Sequence, residues 1–275
     1  AAVAAPHAAP RLLGLFSKSH MAYEIDRRAG RAPTQPTLAQ MTSAALSALE
    51  GAPEGFFLMV EAGRIDHAGH ANDAPAAVAE VCAFHEAFAV ARAFALRHGD
   101  VLVASTSDHD TGGLSVGCCG QYASDVGVLR GVTGSLESVG AAVAEALANG
   151  TAAREAVSGA LAAAGMLGAI PAETVDAAAA LAGVDQSHYD HYALGNLVGS
   201  AFAEAALVGF TSHAHTGGDV NLYCLGPGCG TELKGNIENA DLGQSIIRML
   251  GVDPAAGLEA AEERDPVLRS YASSP

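Results

Sequence analysis

Phe56-Phe57-Leu58-Met59-Val60-Glu61-Ala62-Gly63-Arg64-Ile65-Asp66-His67-Ala68-Gly69-His70 is the stretch that decides the fold. It opens on a short, nearly continuous apolar run, the pattern of a strand covered on both faces. Metal-ligating residue types follow at once. The same arrangement occurs twice more. Val101-Leu102-Val103-Ala104-Ser105 leads through Thr106 and Ser107 into Asp108-His109-Asp110-Thr111-Gly112-Gly113. Ala206-Leu207-Val208-Gly209-Phe210 leads into Thr211-Ser212-His213-Ala214-His215-Thr216-Gly217-Gly218. Val220 to Leu225 reads as a fourth strand.

Helical patterns lie between these runs. Thr37 can cap a helix that reaches Glu50, with Gly51 as its stop. Asn72 or Asp73, followed by Pro75, opens a longer helix ending at Gly99, with Val78, Val81, Cys82, His85, Phe88 and Leu96 close to one face. Asp241 to Leu250 reads as a helix closed by Gly251. Strand and helix alternating at these lengths predict an α/β fold with a largely parallel sheet and flanking helices. The alanine-rich stretch from about Gly120 to Glu204 breaks at Gly131 to Gly134, Asn149-Gly150 and Ile170-Pro171, and reads as a helical insertion or cap. The expected division is therefore an α/β core over 1–119, a helical insertion over 120–204, and a return to the core over 205–275. The first ten residues and the tail after Pro254 read as loosely ordered.

In open parallel sheets, ligands bind beyond the carboxyl ends of the strands, so three ligand-rich loops that follow three strands can converge on one place. Asp66 and His70 are four residues apart and share a face on one helical turn. With His215 they make a His₂Asp set with an open position, an arrangement used for catalytic zinc. Asp108 and His109 offer two ligands of a second zinc. Glu61 presents only hard oxygen and suits magnesium. Taken alone, an Asp-His step is usually surface polarity, and an i,i+4 Asp/His pair is often a solvated helix contact. Three such groups placed directly after three apolar runs are not what 11 scattered histidines would give. His7, His20, His85, His98, His188 and His191 have no such placement and read as structural or solvated.

The composition narrows the partners. A net charge of −16 argues against nucleic acid or an anionic membrane surface. It would also repel a phosphorylated substrate unless bound cations reverse the local field. No run of 18 or more strongly apolar residues is read, so no transmembrane segment is expected. The opening lacks the basic start and apolar core of a signal peptide, and a processed or truncated chain is the expectation. Cys224 and Cys229 bracket a Gly-Pro-Gly turn and could close a small loop. Cys118 and Cys119 are adjacent, and adjacent cysteines rarely pair. With no CxxC among five cysteines, a structural cysteine zinc site is not expected.

The segments Phe57 to His70, Thr106 to Gly113, and His213 to Tyr223 with Gly235-Asn236-Ile237-Glu238-Asn239 closely resemble the three metal motifs of the alkaline phosphatase family. Leu13-Gly14-Leu15-Phe16 and Met21 to Arg27 match the same family, and the long helical insertion is nearest to its fungal vacuolar type. The resemblance implies a phosphomonoester hydrolase with two zinc ions and one magnesium. By position, Glu61 is implied as a magnesium ligand, Asp66, His70 and His215 as ligands of the first zinc, and Asp108 and His109 as ligands of the second. His67 and His213 are implied as supporting or substrate-touching residues, with His213 also competing with His215 for the ligand role. A homodimer in an extracytoplasmic or vacuolar compartment is implied for the complete protein. The family's serine nucleophile, its phosphate-binding arginine, a carboxylate that bridges magnesium and the second zinc, and a further magnesium ligand belong to its N-terminal half. No Asp-Ser-Ala-type motif occurs in this sequence, so the chain is expected to be the C-terminal portion without the nucleophile. Two rivals are a non-catalytic metal-binding or interaction module and another hydrolase of the same superfamily, a phosphodiesterase or a sulfatase.

Overall fold

A computed structural model describes residues 12–53, 55–182 and 193–252. The expectations for the first ten residues, for His7, His188 and His191, and for the tail after Pro254 fall outside them. Two compact units are separable. One comprises residues 1–93 and 109–221, the other 94–108 and 222–275.

The first unit is largely helical. After a short helix α1 (Glu24–Arg28), helix α2 (Leu38–Leu49) begins at a capping box. Thr37 Oγ1 accepts from the Gln40 amide at 3.0 Å, and the Gln40 side chain accepts from the Thr37 amide at 2.9 Å. Helix α3 (Arg64–His70) carries the first ligand pair, and helix α4 (Ala74–His98) follows it almost directly. The turn between them is made possible by Asn72, which adopts a left-handed backbone at φ 51°. Asp73 Oδ1 accepts from the Ala76 amide at 3.0 Å and starts α4, as the sequence indicated.

The face of α4 that carries Val78, Val81 and Cys82 turns outward. Val78 and Val81 are half exposed and Cys82 is exposed, whereas Ala76, Ala77, Ala83 and Ala87 are buried. The alanine side wins because it allows close approach, and Glu80 is drawn inward to accept from the Glu24 amide. On length and composition alone α4 could cross a membrane, which the sequence reading did not anticipate; 39% of its most apolar window is buried.

Helices α5 (Leu136–Ala148), α6 (Ala153–Ala163), α7 (Ala172–Leu181) and α8 (Ala193–Ala205) form the region expected to be helical, and their boundaries fall at the glycine and proline breaks. Their inward faces, with Met166 from the connection after α6, build the largest core, with Val139, Val157, Leu161, Met166, Val198 and Phe202 essentially removed from water. Each such side chain stabilises the fold by about 1.5–3 kcal/mol. Ala71, next to the α3–α4 turn, belongs to the same core.

The strands differ from expectation. Phe57 to Val60 has no regular strand and alternates in exposure, with Phe57 and Met59 largely exposed. Every strand pair among the described residues is antiparallel, in place of the expected largely parallel sheet. In the first unit, β2 (Asp110–Thr111) pairs with β5 (His215–Thr216), and β3 (Ser115–Val116) pairs with β4 (Val208–Gly209). These are two rungs of one ribbon. Between them Gly112, Gly113 and Leu114 face Phe210 to Ala214, so the second side carries two extra residues and bulges. Continuous apolar character does not by itself distinguish parallel from antiparallel pairing, and the two ligand-bearing loops pair with each other. In the second unit, β1 (Val103–Ser105) pairs with β6 (Tyr223–Leu225), and helix α9 (Asn239–Met249) follows. Cys224 and Cys229 form a disulfide, and so do Cys118 and Cys119, against the expectation for adjacent cysteines.

The N-terminus of α5 is capped from far along the chain. The Leu136 amide donates to Asp73 Oδ2 at 2.7 Å, and the Ser135 amide donates to Asp26 Oδ1 at 3.1 Å. Ser135 Oγ donates to Asp26 and accepts from the Ser138 amide at 3.1 Å. Otherwise unpaired helix amides are thus satisfied by two buried carboxyl groups.

Burial pushes the Asp73 carboxyl up to about 6, outweighing its two amide bonds. Between about pH 4 and pH 6 the unfolded chain has lost this proton and the folded chain retains it. Asp73 therefore makes the fold less stable as pH rises through that window, by about 3 kcal/mol. Urea unfolding from pH 4 to 6.5 should show this loss in the wild type relative to Asp73→Asn; parallel curves would refute it.

Candidate metal centre

Helix α3 places Asp66 and His70 one turn apart, and the β5 strand brings His215 to them. Asp66 Oδ1 lies 3.4 Å from His70 Nε2 and 3.5 Å from His215 Nε2. The two Nε2 atoms are 3.2 Å apart. The three candidate ligand atoms thus form a nearly equilateral triangle. A tetrahedral zinc with bonds of about 2.0–2.1 Å separates its ligand atoms by about 3.3–3.4 Å. The donor set and its spacing therefore fit zinc, and among the described residues this is the cluster of three such side chains that comes together.

The ring nitrogens are sorted by their neighbours. His70 Nδ1 lies 2.6 Å from the His213 carbonyl oxygen, which can only accept, so Nδ1 carries the proton and Nε2 keeps its lone pair toward the triangle. Thr111 Oγ1 donates to Asp66 Oδ1 at 2.6 Å. Its single proton being spent there, the 3.2 Å contact with His109 must be donated by His109 Nδ1, leaving His109 Nε2 as an acceptor. The His109 ring stacks on His215 with centroids 3.5 Å apart. Asp110 is structural: its Oδ2 accepts from Thr216 Oγ1 at 2.6 Å and from the Gly113 amide at 3.1 Å.

Two glycines permit this convergence. A Cβ on Gly69 would meet the Thr111 carbonyl oxygen at 2.8 Å, and one on Gly112 would meet the Gly69 oxygen at 2.9 Å. Gly112 also has φ +83°, which disfavours any side chain. The backbones of α3 and the ribbon touch here, which sets Thr111 against Asp66.

Glu61, Asp108 and His67 are not members of the triangle. Glu61 is exposed, and its carboxylate folds back beside Gly63. Asp108 is exposed and belongs to the second compact unit. His67 faces a different neighbourhood. Arg64 donates to its Nδ1 at 3.1 Å, and His20 meets it edge-on with centroids 4.4 Å apart. Burial, followed by the Arg64 charge, holds His67 below the usual histidine value. Arg64 itself stacks on Tyr23 at 3.6 Å and donates to Glu137 at 2.6 Å. His20 packs against His67, and Arg64 and Thr111 were missed. The signal for both was adjacency to the ligands, Arg64 two residues before Asp66 and Thr111 two after His109.

His213 does not join the triangle. Its Nδ1 donates to the His70 carbonyl at 2.9 Å, while its own carbonyl accepts from His70 Nδ1. The Asn72 amide, oriented by its surroundings, donates to the Ser212 and Gly69 carbonyls at 2.9 and 3.0 Å.

The alkaline phosphatase family model matches residues 3–252. The chain is 36% identical to an alkaline phosphatase of Schizosaccharomyces pombe, over 88% of its own length and 45% of that protein. It is 32% identical to the repressible alkaline phosphatase of Saccharomyces cerevisiae, over 86% of its length and 44% of that one. The Thermus thermophilus alkaline phosphatase structure superposes with a TM-score of 0.74 at 28% identity, covering 90% of this chain and 54% of that chain. The chain thus spans about half the length of the relatives it matches. On the match across nearly all of its residues, the chain belongs to the alkaline phosphatase family.

Proposed function

We propose that this chain is the metal-binding part of a phosphomonoester hydrolase, with Asp66, His70 and His215 as the ligands of one zinc. The triangle of ligand atoms with edges of 3.2, 3.4 and 3.5 Å carries this reading. His109, already stacked on His215, and Asp108 are the proposed ligands of a second zinc, and Glu61 that of a magnesium. When bound, such cations supply positive charge that stabilises the oxygens entering and leaving phosphorus. They would also offset the −16 charge that otherwise repels the substrate.

The chain's own residues do the positioning. Thr111 orients the Asp66 carboxylate, and the His213 carbonyl fixes the proton of His70 on Nδ1. Arg64 occupies His67 Nδ1, so His67 carries its proton on Nε2, a donor suited to a phosphate oxygen. The serine nucleophile and the phosphate-binding arginine of the family are proposed to come from residues outside these 275. The same outside residues would complete a largely parallel sheet, with α4 packed on it and the 120–204 helices as an insertion. For the complete protein we propose a homodimer in an extracytoplasmic or vacuolar compartment, where the two disulfides would persist.

Zinc titration against a competing chelator should show tight binding by the purified chain. Asp66→Asn and His215→Ala should each weaken it by more than about 100-fold, beyond the effect of a supporting residue. Unchanged affinity in both variants would remove these residues from the ligand set. Loaded with zinc and magnesium, the chain alone should not turn over p-nitrophenyl phosphate. Turnover abolished by Asp108→Ala would instead place a nucleophile within these residues.

A further inference from the structure

We propose that His213 and Asn72 are a positioning pair that locks the first and third ligand segments together and sets the tautomer of His70. This rests on the zinc reading of Asp66, His70 and His215.

The geometry is reciprocal. His70 Nδ1 donates to the His213 carbonyl at 2.6 Å, and His213 Nδ1 donates to the His70 carbonyl at 2.9 Å. Each histidine therefore holds the other's backbone. Such closure requires the chain at His213 to depart from the regular ribbon, and it does. His213 lies in the segment with two extra residues, between the Val208–Gly209 and His215–Thr216 rungs.

Asn72 closes the loop from the buried side. It is 4% exposed, and its amide ties Gly69 of α3 to Ser212 of the bulge. A left-handed backbone at Asn72 turns this side chain back toward the ribbon at the end of α3.

The consequence falls on His70 Nε2. With the bulge held in place, the His213 carbonyl keeps the proton on Nδ1, and Nε2 stays available beside His215 and Asp66. Without the His213 imidazole the bulge loses its anchor to the His70 carbonyl. The His213 carbonyl can then drift, and the other tautomer, with its proton inside the triangle, becomes accessible. Supporting hydrogen bonds of this kind typically govern metal affinity by ten- to a hundred-fold.

The test uses the full chain and reads two quantities. Zinc affinity is measured by chelator competition, and the His70 tautomer is read from histidine ¹⁵N NMR of the zinc-free protein. His213→Ala is expected to lower zinc affinity about 10- to 100-fold and to reduce the Nδ1–H population of His70. His213→Asn places an amide donor near the position of Nδ1 and is expected to recover most of both. His213 is exposed, so both variants should fold, which circular dichroism checks. An unchanged His70 tautomer in His213→Ala would overturn the proposal. So would equal losses in the Ala and Asn variants. A wild type that fails to bind zinc while its His70 tautomer still depends on His213 would sink the zinc reading and leave the positioning pair supported.

Discussion

The turn Ala71-Asn72-Asp73 constrains most of what surrounds it. It must end α3 directly after a candidate ligand, reverse into α4, and leave no polar group stranded. Ala71 goes into the helical core. The Asn72 amide satisfies carbonyls of α3 and of the ribbon bulge. The Asp73 carboxyl accepts from α4 and from the first amide of α5. Three consecutive residues thus fix three directions: toward the core, toward the proposed metal centre, and toward the helical block. Their burial makes each bond costly to leave unmade.

That division of labour explains which features were readable from sequence. The helices were, because their signals are local. Thr37 with Gln40, Asp73 before Pro75, and the glycine and proline breaks around α5 to α7 act within a few residues of where they stand. The Asp66/His70 pairing was readable for the same reason, since i and i+4 share a helix face wherever the helix goes. The addition of His215 depended on three loops following three apolar runs and on family resemblance, and the structure brings its side chain beside that pair. Thr111, Arg64 and the His70–His213 exchange were not readable. Their roles come from contacts made across a bulge or between distant helices, and no local pattern encodes those.

The apolar runs were the weakest guide to pairing. Phe57 to Val60 was expected to be covered on both faces, yet Phe57 is 61% and Met59 73% exposed. Val103 to Ser105 and Val208-Gly209 do form strands, but in antiparallel pairs. A run of apolar residues states that a segment prefers to be covered; it does not name the neighbour or its direction. The outward Val78 and Val81 of α4 make the same point for a helix. There the smaller alanines occupy the interior, because a backbone can approach alanine more closely than valine.

Charge gives the last link between fold and chemistry. A protein with a net charge of −16 is a poor host for an anionic ester by its side chains alone. Around the candidate centre the sequence concentrates acceptors: Asp66 Oδ1, His70 Nε2 and His215 Nε2 within hydrogen-bonding range of one another, and His109 Nε2 left as an acceptor by Thr111. Acceptors brought this close gain nothing from each other wherever no proton lies between them, since lone pairs repel. The arrangement becomes favourable once a cation lies among them, and the same cation turns a repulsive surface into one that attracts phosphate. The fold supports this by fixing two of the ligands with hydrogen bonds, from Thr111 to Asp66 and from His70 Nδ1 to the His213 carbonyl.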